Sequence, residues 1–254
     1  MYRNRRIAVV MPIHNEEDRV HHAIARVPSF VDFILAIDDA STDGTAAQLR
    51  QIDDARLIRL RHATNRGVGA ATKTGYGRAL QTAADLIAVM DGDGQMDGRD
   101  LPALLDAAIK GADYVKGNRF LRRESLNAMP LTRLVGNRVF SLLTRRASRY
   151  RESLDAQCGY TVIRRAALME LPLDALYDRY GFPNEMWFAA RRARLRVASV
   201  PVRSIYETEV SGINPLTVVP MISLLIARNW WRDRKAHPSS AHRQPIFEVM
   251  KPTR

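Results

Sequence analysis

The chain has 254 residues, 46% hydrophobic and 26% charged, with 14 Gly and 12 Pro, enough apolar material for one large α/β unit and no low-complexity excess. A lone cysteine, Cys158, excludes an intramolecular disulfide framework. The start, MYRNRRIAVVMPIHNEE, has too short an apolar run for a secretory leader, so a reducing, cytoplasmic setting is expected. The formal charge of +12 suits an anionic partner, whether nucleic acid, phosphorylated substrate or acidic lipid surface, without choosing among them.

Short β-branched runs at residues 7–11, 33–37, 57–60 and 86–90 alternate with helical patterns at 16–26, 45–51 and 69–84, the first opened by Asn15 as N-cap. That alternation predicts βαβ units and a mostly parallel sheet flanked by helices, whose near-continuous apolar strands are buried on both faces. The second half is less regular. It offers strands at 114–116 and 160–164, a basic stretch over 119–151, and a final apolar stretch at 216–231 ending in Trp230, Trp231 and several cations. Crossing a bilayer takes about twenty apolar residues, so this last segment either packs on the domain or lies at a membrane interface. Beyond His237 no period is visible and a flexible tail is expected.

In a parallel sheet the ligand crevice lies beyond the carboxyl ends of the strands, where HNEE, DDASTDGT and DGDGQMD all fall. The third of these runs a strand directly into Asp91 and Asp93, spaced by glycine and followed by Gln95. Hard oxygen donors in that pattern suit Mg²⁺ or Mn²⁺ bridging a diphosphate. Glu16, Asp38 and Asp39 share the rim and can accept hydrogen bonds from a base or ribose, while capping accounts for most of STDGT. Asn65-Arg66-Gly67-Val68-Gly69 adds a glycine-bearing helix start with a cation, suited to approach by phosphate or sugar.

The order Pro12 and Asn15-Glu16, DDASTDGT, NRGVG and DGD resembles the family 2 glycosyltransferases. The further segments Gly117-Asn118-Arg119, Arg133, Gly136-Asn137-Arg138 and Asp155-Ala156-Gln157-Cys158-Gly159-Tyr160 resemble their dolichyl- or polyprenyl-phosphate branch. The resemblance covers residues 6 to about 210 and implies an α/β fold of the glycosyltransferase A type. It implies a catalytic domain over 1–212, with a nucleotide-binding half to about 98 and an acceptor half after it, then an amphipathic helix at 213–236 and the tail at 237–254. The implied donor is a nucleotide sugar and the implied acceptor a polyprenyl-phosphate lipid, met at an anionic membrane surface. By position, Pro12, Glu16, Asp38, Asp39 and Arg66 would bind the nucleotide. Asp91, Asp93 and Gln95 would hold the metal and diphosphate. Arg119, Arg133, Asn137 and, as a candidate, Arg203 would meet the acceptor, and Asp91, Asp93, Arg119, Arg133 and Asp155 would be the catalytic groups. Arg203 stands only near the place where relatives carry an Arg before a Gly-x-Ser-Lys segment, and paired downstream transmembrane helices are absent.

A phosphate acceptor is already anionic near neutral pH, whereas a saccharide hydroxyl, the alternative acceptor, would need a carboxylate base such as Asp155 or Glu185. Dinucleotide-dependent oxidoreduction is disfavoured because MPIHNEE stands where a GxGxxG turn belongs, and P-loop chemistry fails because GAATKTG has the wrong spacing. Nucleic acid is not an expected partner: aromatics make up 7% of the chain and form no stacking motif among the basic residues, and acidic loops repel bare phosphate. His14, His21, His22 and His62 make no zinc spacing with Cys158, which reads as a small packed residue.

Overall fold

The structure, a computed structural model, describes residues 1–129, 131–148, 155–205, 215–236 and 247–249. The first half is built as β1 (Ile7–Ile13), α1 (Val20–Ala25), β2 (Phe33–Asp38), α2 (Thr45–Gln51), β3 (Leu57–Arg61), α3 (Val68–Ala79) and β4 (Leu86–Val89). The second half adds α4 (Leu101–Ile109), β5 (Tyr114–Asn118), α5 (Arg123–Ala128), α6 (Leu131–Ser148), β6 (Thr161–Arg164), α7 (Arg165–Met169), α8 (Phe182–Arg192), β7 (Val197–Pro201), α9 (Pro215–Ala236) and β8 (Phe247–Val249).

Among the described residues the strands form one eight-stranded sheet in the order β3-β2-β1-β4-β6-β5-β7-β8. Only β6 runs against its neighbours, β4 and β5. Every residue of β1 is buried, because helices cover both faces. Ile7, Val9, Met11 and Ile13 point into a core closed by Val20, Ile24, Leu101 and Leu105 of α1 and α4. Ala8 and Val10 point the other way, toward Ala71 and Tyr76 of α3 and Phe182 and Trp187 of α8. A third cluster joins Phe140 of α6 to Phe188 of α8 and to Ile222 and Ile226 of α9.

After β3 the chain returns across β2 and lays β4 on the far edge of β1. Strand order therefore reverses between β1 and β4, and a crevice opens beyond their carboxyl ends. The register Val10↔Val89 brings Pro12, Gly92 and Asp91 to that point.

Some boundaries differ from the sequence expectation. Asn15 does not cap α1: it takes a left-handed φ of 55°, its side-chain oxygen accepts the Thr42 N–H at 2.8 Å, and the helix begins five residues later at Val20. The acidic loops after β1 and β2 lock together instead, with Glu16 N donating to Thr45 Oγ1 at 2.8 Å and Gly44 N to Glu17 Oε2 at 2.8 Å. Pro220 lies inside the last helix, α9, which runs through it and forgoes the one backbone bond that proline cannot donate. Three residues of the expected tail, Phe247–Val249, pair in parallel with Val197–Ser199. Arg149 and Arg151 of the basic stretch, residues 206–214 and most of the tail lie outside the described residues.

Candidate active site

The loop after β4 continues to bond to β1 past the end of the ladder: Met90 N donates to Val10 O at 3.0 Å and Gly92 N to Pro12 O at 3.1 Å. This fixes Asp91 over the β1/β4 boundary. Asp93 Oδ1 accepts the Gln95 N–H at 2.9 Å, a tight turn that returns the chain beneath the pair. The turn is held from two other elements. Arg26, at the end of α1, donates from Nη1 to Gly94 O at 2.5 Å, and Ile205 N donates to Gln95 O at 3.0 Å. On its inner side the Asp91 carboxylate packs on Gly159, where a Cβ would lie 2.8 Å from Oδ2. Only glycine leaves room there.

Burial, followed by the neighbouring Asp93 charge and, more weakly, that of Glu16, pushes the Asp91 carboxyl up to about 7, against the pull of Arg119 and Lys116. Asp91 and Asp93, with Glu16 within electrostatic reach, thus gather carboxylates at one point of the rim. A dication fits such a donor set. Among the described residues no group of three or more His, Cys, Asp or Glu side chains converges to hold a metal. An ion here would take Asp91 and Asp93 and draw its remaining oxygens from a diphosphate and water, the manner usual for Mg²⁺. Gln95 is half-buried beside the pair, its backbone closing the turn.

Pro12 and Glu16 line the same end of β1, and Glu16 pairs with Arg19 at 3.1 Å. Asp38, the last residue of β2, is buried, accepts the Ser41 N–H at 2.8 Å and lies 3.3 Å from Arg61 Nε. Asp39 departs from the nucleotide contact expected of it. Its oxygens are taken by His62 Nδ1 at 2.6 Å and by the N–H groups of Arg66 at 2.9 Å and Gly67 at 2.6 Å. Burial alone would raise its carboxyl, but these donors outweigh it and hold the group below the usual carboxylate range. Asp39 therefore positions the NRGVG loop and, through it, Arg66.

Asp155, expected among the catalytic groups, is held by Arg119. Arg119 Nε donates to its Oδ2 at 2.5 Å and Nη2 to its Oδ1 at 2.8 Å, in a bidentate pair buried on both sides. Arg119 is thus a cation fixed in place by Asp155. Arg203, expected at the acceptor, is held from behind: its backbone N–H donates to Asp100 Oδ2 at 2.6 Å, and its guanidinium lies 3.4 Å from Asp97 and 3.6 Å from Asp100. Both carboxylates are buried, so the pairing is set by desolvation. Asn137 is half-buried on α6, 3.8 Å from Met129 Sδ. Arg133 belongs to α6, but its side chain lies outside the described residues. Glu185 faces α9: it accepts the Tyr177 N–H at 2.7 Å and Asn229 Nδ2 at 2.9 Å, and also binds Arg228. Cys158 is buried, and burial raises its thiol to about 11, as suits a packing residue.

Sequence reasoning missed Lys116. It is buried in β5 beneath the acidic loop, with Nζ donating to Cys158 O at 2.5 Å and lying 5.8 Å from the Trp187 ring centre. Burial lowers its ammonium to about 8. The signal was a lysine inside the buried run YVKGN, where a charge survives only with partners.

Comparison with known proteins agrees with this arrangement. Residues 8–171 match the family model described as glycosyl transferase family 2. The UDP-N-acetylglucosamine–dolichyl-phosphate N-acetylglucosaminyltransferase of Methanococcus voltae is 28% identical, over 81% of this chain and 87% of that protein. The polyprenol monophosphomannose synthase of Mycolicibacterium smegmatis is 30% identical, over 83% of each chain. The undecaprenyl-phosphate mannosyltransferase of Micrococcus luteus is 30% identical, over 82% of this chain and 88% of that one. In three dimensions the chain resembles glucosyl-3-phosphoglycerate synthase from Mycobacterium tuberculosis, crystallised with Mn²⁺, UDP and phosphoglyceric acid. The TM-score is 0.66 at 19% identity, covering 93% of this chain and 81% of that one. The fold is of the glycosyltransferase A type, and the chain belongs to glycosyltransferase family 2.

Proposed function

We propose that this enzyme moves a hexose, mannose from GDP-mannose as the narrower choice, from a nucleotide sugar to a polyprenyl phosphate with inversion, aided by Mg²⁺ or Mn²⁺. The observation that carries the reading is the Asp91–Asp93 pair at the strand-order reversal, where a diphosphate would lie and where burial and the Asp93 charge raise the Asp91 carboxyl. Bound there, the dication would neutralise charge on the departing diphosphate. The two aspartates would hold it, with Pro12, Glu16 and Asp38 flanking the nucleotide and the loop tethers from Arg26 and Ile205 keeping the pair in place.

The acceptor follows from which groups have protons to move. A saccharide hydroxyl must lose its proton to a base, yet Asp155 is clamped by Arg119, and Glu185 by Tyr177, Arg228 and Asn229. A phosphate oxygen needs no base, and the relatives from Micrococcus luteus and Mycolicibacterium smegmatis are named for polyprenyl-type acceptors. Arg119 and Arg133 would offset its charge, with Asn137 beside them on α6.

An apolar acceptor has to be reached at a lipid surface. No helix among the described residues is long and apolar enough to cross a membrane. However, α6 exposes Val135, Val139, Leu142 and Leu143, and α9 exposes Leu224, Trp230 and Trp231 while burying Ile222 and Ile226. Exposed Arg138, Arg145, Arg146 and Arg232 accompany these residues, a pattern suited to peripheral attachment at an anionic, cytoplasmic membrane face.

Radiolabelled GDP- and UDP-sugars offered with undecaprenyl or dolichyl phosphate and Mn²⁺ should give label in the organic extract. Label appearing only in water-soluble saccharide would overturn the lipid-phosphate reading.

A further inference from the structure

A second cavity, of about 430 Å³, opens away from the acidic pair and is walled by Arg66, Ala175, Leu176, Tyr177, Asp178, Arg179 and Arg228. It shares no lining residue with the smaller cavity against Asp93 and Gly94. Three exposed arginines line it from distant parts of the chain: Arg66 of the loop after β3, Arg179 of the loop before α8, and Arg228 of α9.

Each local charge has a traceable balance. The lone wall carboxylate, Asp178, is paired with Lys73 at 2.5 Å. Arg228 is partly offset by Glu185 behind it. The guanidinium groups of Arg66 and Arg179 make no hydrogen bond or ion pair with the described residues. Two arginines without a carboxylate partner among the described residues thus stand on the wall of one cavity.

The backbone is shaped to keep them there. Gly67 has a φ of +98°, and a Cβ on it would lie 2.6 Å from Arg179 Cγ and 2.7 Å from Asp178 O. A Cβ on Gly69 would lie 2.5 Å from Tyr177 O. The glycines thus let the 177–179 segment lie directly on the start of α3, where Ala70 N donates to Asp178 O at 2.9 Å. That contact already takes up a first-turn amide of α3, which leaves recognition of a ligand to the arginine forks. On the other side Asp39 grips the N–H groups of Arg66 and Gly67.

The geometry points to a binding site for a phosphomonoester dianion, built apart from Asp91 and Asp93 and using Arg66 in place of the nucleotide contact expected of it. A phosphomonoester carries about −1.5 to −2 charge near neutral pH, matching two guanidinium groups, whereas a carboxylate carries half as much. Arginine forks bind phosphate oxygens bidentately. The cavity exceeds a bare phosphate and accommodates what the phosphate is attached to. That group is either a small soluble moiety or a lipid, since Arg228 lies on α9 between the exposed Leu224 and Trp231.

The test is isothermal titration of the full chain, without metal or nucleotide, with inorganic phosphate and glycerol 3-phosphate. It is paired with flotation on vesicles containing phosphatidic acid, against vesicles of phosphatidylglycerol matched in surface charge. The Arg66→Gln/Arg179→Gln double variant is compared with Arg145→Gln/Arg146→Gln, which removes the same charge from α6. Saturable phosphate binding is expected, weakened about tenfold or more in the first variant and less than about twofold in the second. If the source is a lipid headgroup, the native chain prefers phosphatidic acid and the first variant alone loses that preference. If it is soluble, glycerol 3-phosphate binds and the vesicles are not distinguished. Equal losses in both variants, or no saturable binding of any probe, would overturn the assignment.

Discussion

Replacing Asp155 by Asn should unfold this enzyme more readily before it says anything about chemistry. Asp155 has no exposed side-chain surface and Arg119 only 9%, and the carboxylate accepts both Nε and Nη2 of the guanidinium as well as the Arg119 backbone N–H at 3.3 Å. Removing one partner of such a buried pair strands a desolvated charge and costs about 3–5 kcal/mol. For a chain of this size each kcal/mol shifts Tm by about 2–4 °C, so Asp155→Asn should melt about 6–20 °C lower. The control is Arg119→Met/Asp155→Leu, which removes both charges and should recover most of the lost Tm, since paired apolar replacements are often neutral. Differential scanning calorimetry of the three proteins, with sugar transfer measured well below each Tm, separates the roles. If Asp155→Asn kept its Tm within about 2 °C but lost turnover, the carboxylate would be acting on the reacting groups. The clamp argument, and with it the case against a hydroxyl acceptor, would then fail.

Three further outcomes follow from the same geometry. Mn²⁺ at about a hundred times its Kd should stabilise the native chain by about 2.7 kcal/mol, or about 5–11 °C, and both Asp91→Asn and Asp93→Asn should abolish this rise along with turnover; a full metal-induced rise in either variant contradicts the site. Gly159→Ala puts a methyl 2.8 Å from Asp91 Oδ2 and 3.0 Å from Met96 Cε, so overpacking should cost about 1–3 kcal/mol. The shifted carboxylate should slow turnover by about a hundredfold, and a variant with native kinetics would show that Asp91 does not act from this position. Asp39 is held below its ordinary value, so its contribution is present above the unfolded pKa and is lost as pH falls through the lower folded one. Urea unfolding of the native chain and Asp39→Asn should therefore differ by about 1–3 kcal/mol at pH 7 and converge toward pH 3, whereas a gap independent of pH would exclude the charge as its source.

The parts of this molecule legible in the sequence are those whose physics is local. Residues 7–11 read as a buried strand because every position is apolar, and the structure extends that strand to Ile13 with all seven residues buried. Asp91 and Asp93 were legible because a strand that ends in DGD sends its carboxylates to the rim whatever packs behind it. Asp155, Arg203 and Asp39 were not, since each is decided by a partner remote in sequence: Arg119 at a separation of 36, Asp97 at 106, and Arg66 and Gly67 at 27 and 28. Composition cannot say which of 39 basic residues meets which of 27 acids.

That distinction bears on how the fold makes a site. A basic chain with acidic loops would collapse its cations onto its carboxylates if nothing intervened, and over much of this molecule it does: Arg99 and Arg203 on Asp97, Arg196 on Asp113, Arg119 on Asp155. Asp91 differs: it stands on Gly159, beside Met96, where the strand order reverses between β1 and β4. The cations nearest it are already engaged, Arg119 by Asp155 and Lys116 by the Cys158 carbonyl, so their charge is felt without their atoms closing on the carboxylate. Pairing with Asp155 therefore keeps Arg119 off Asp91, and a substitution that released Arg119 would do more than lower stability: it would bring a resident cation to Asp91 in competition with any metal.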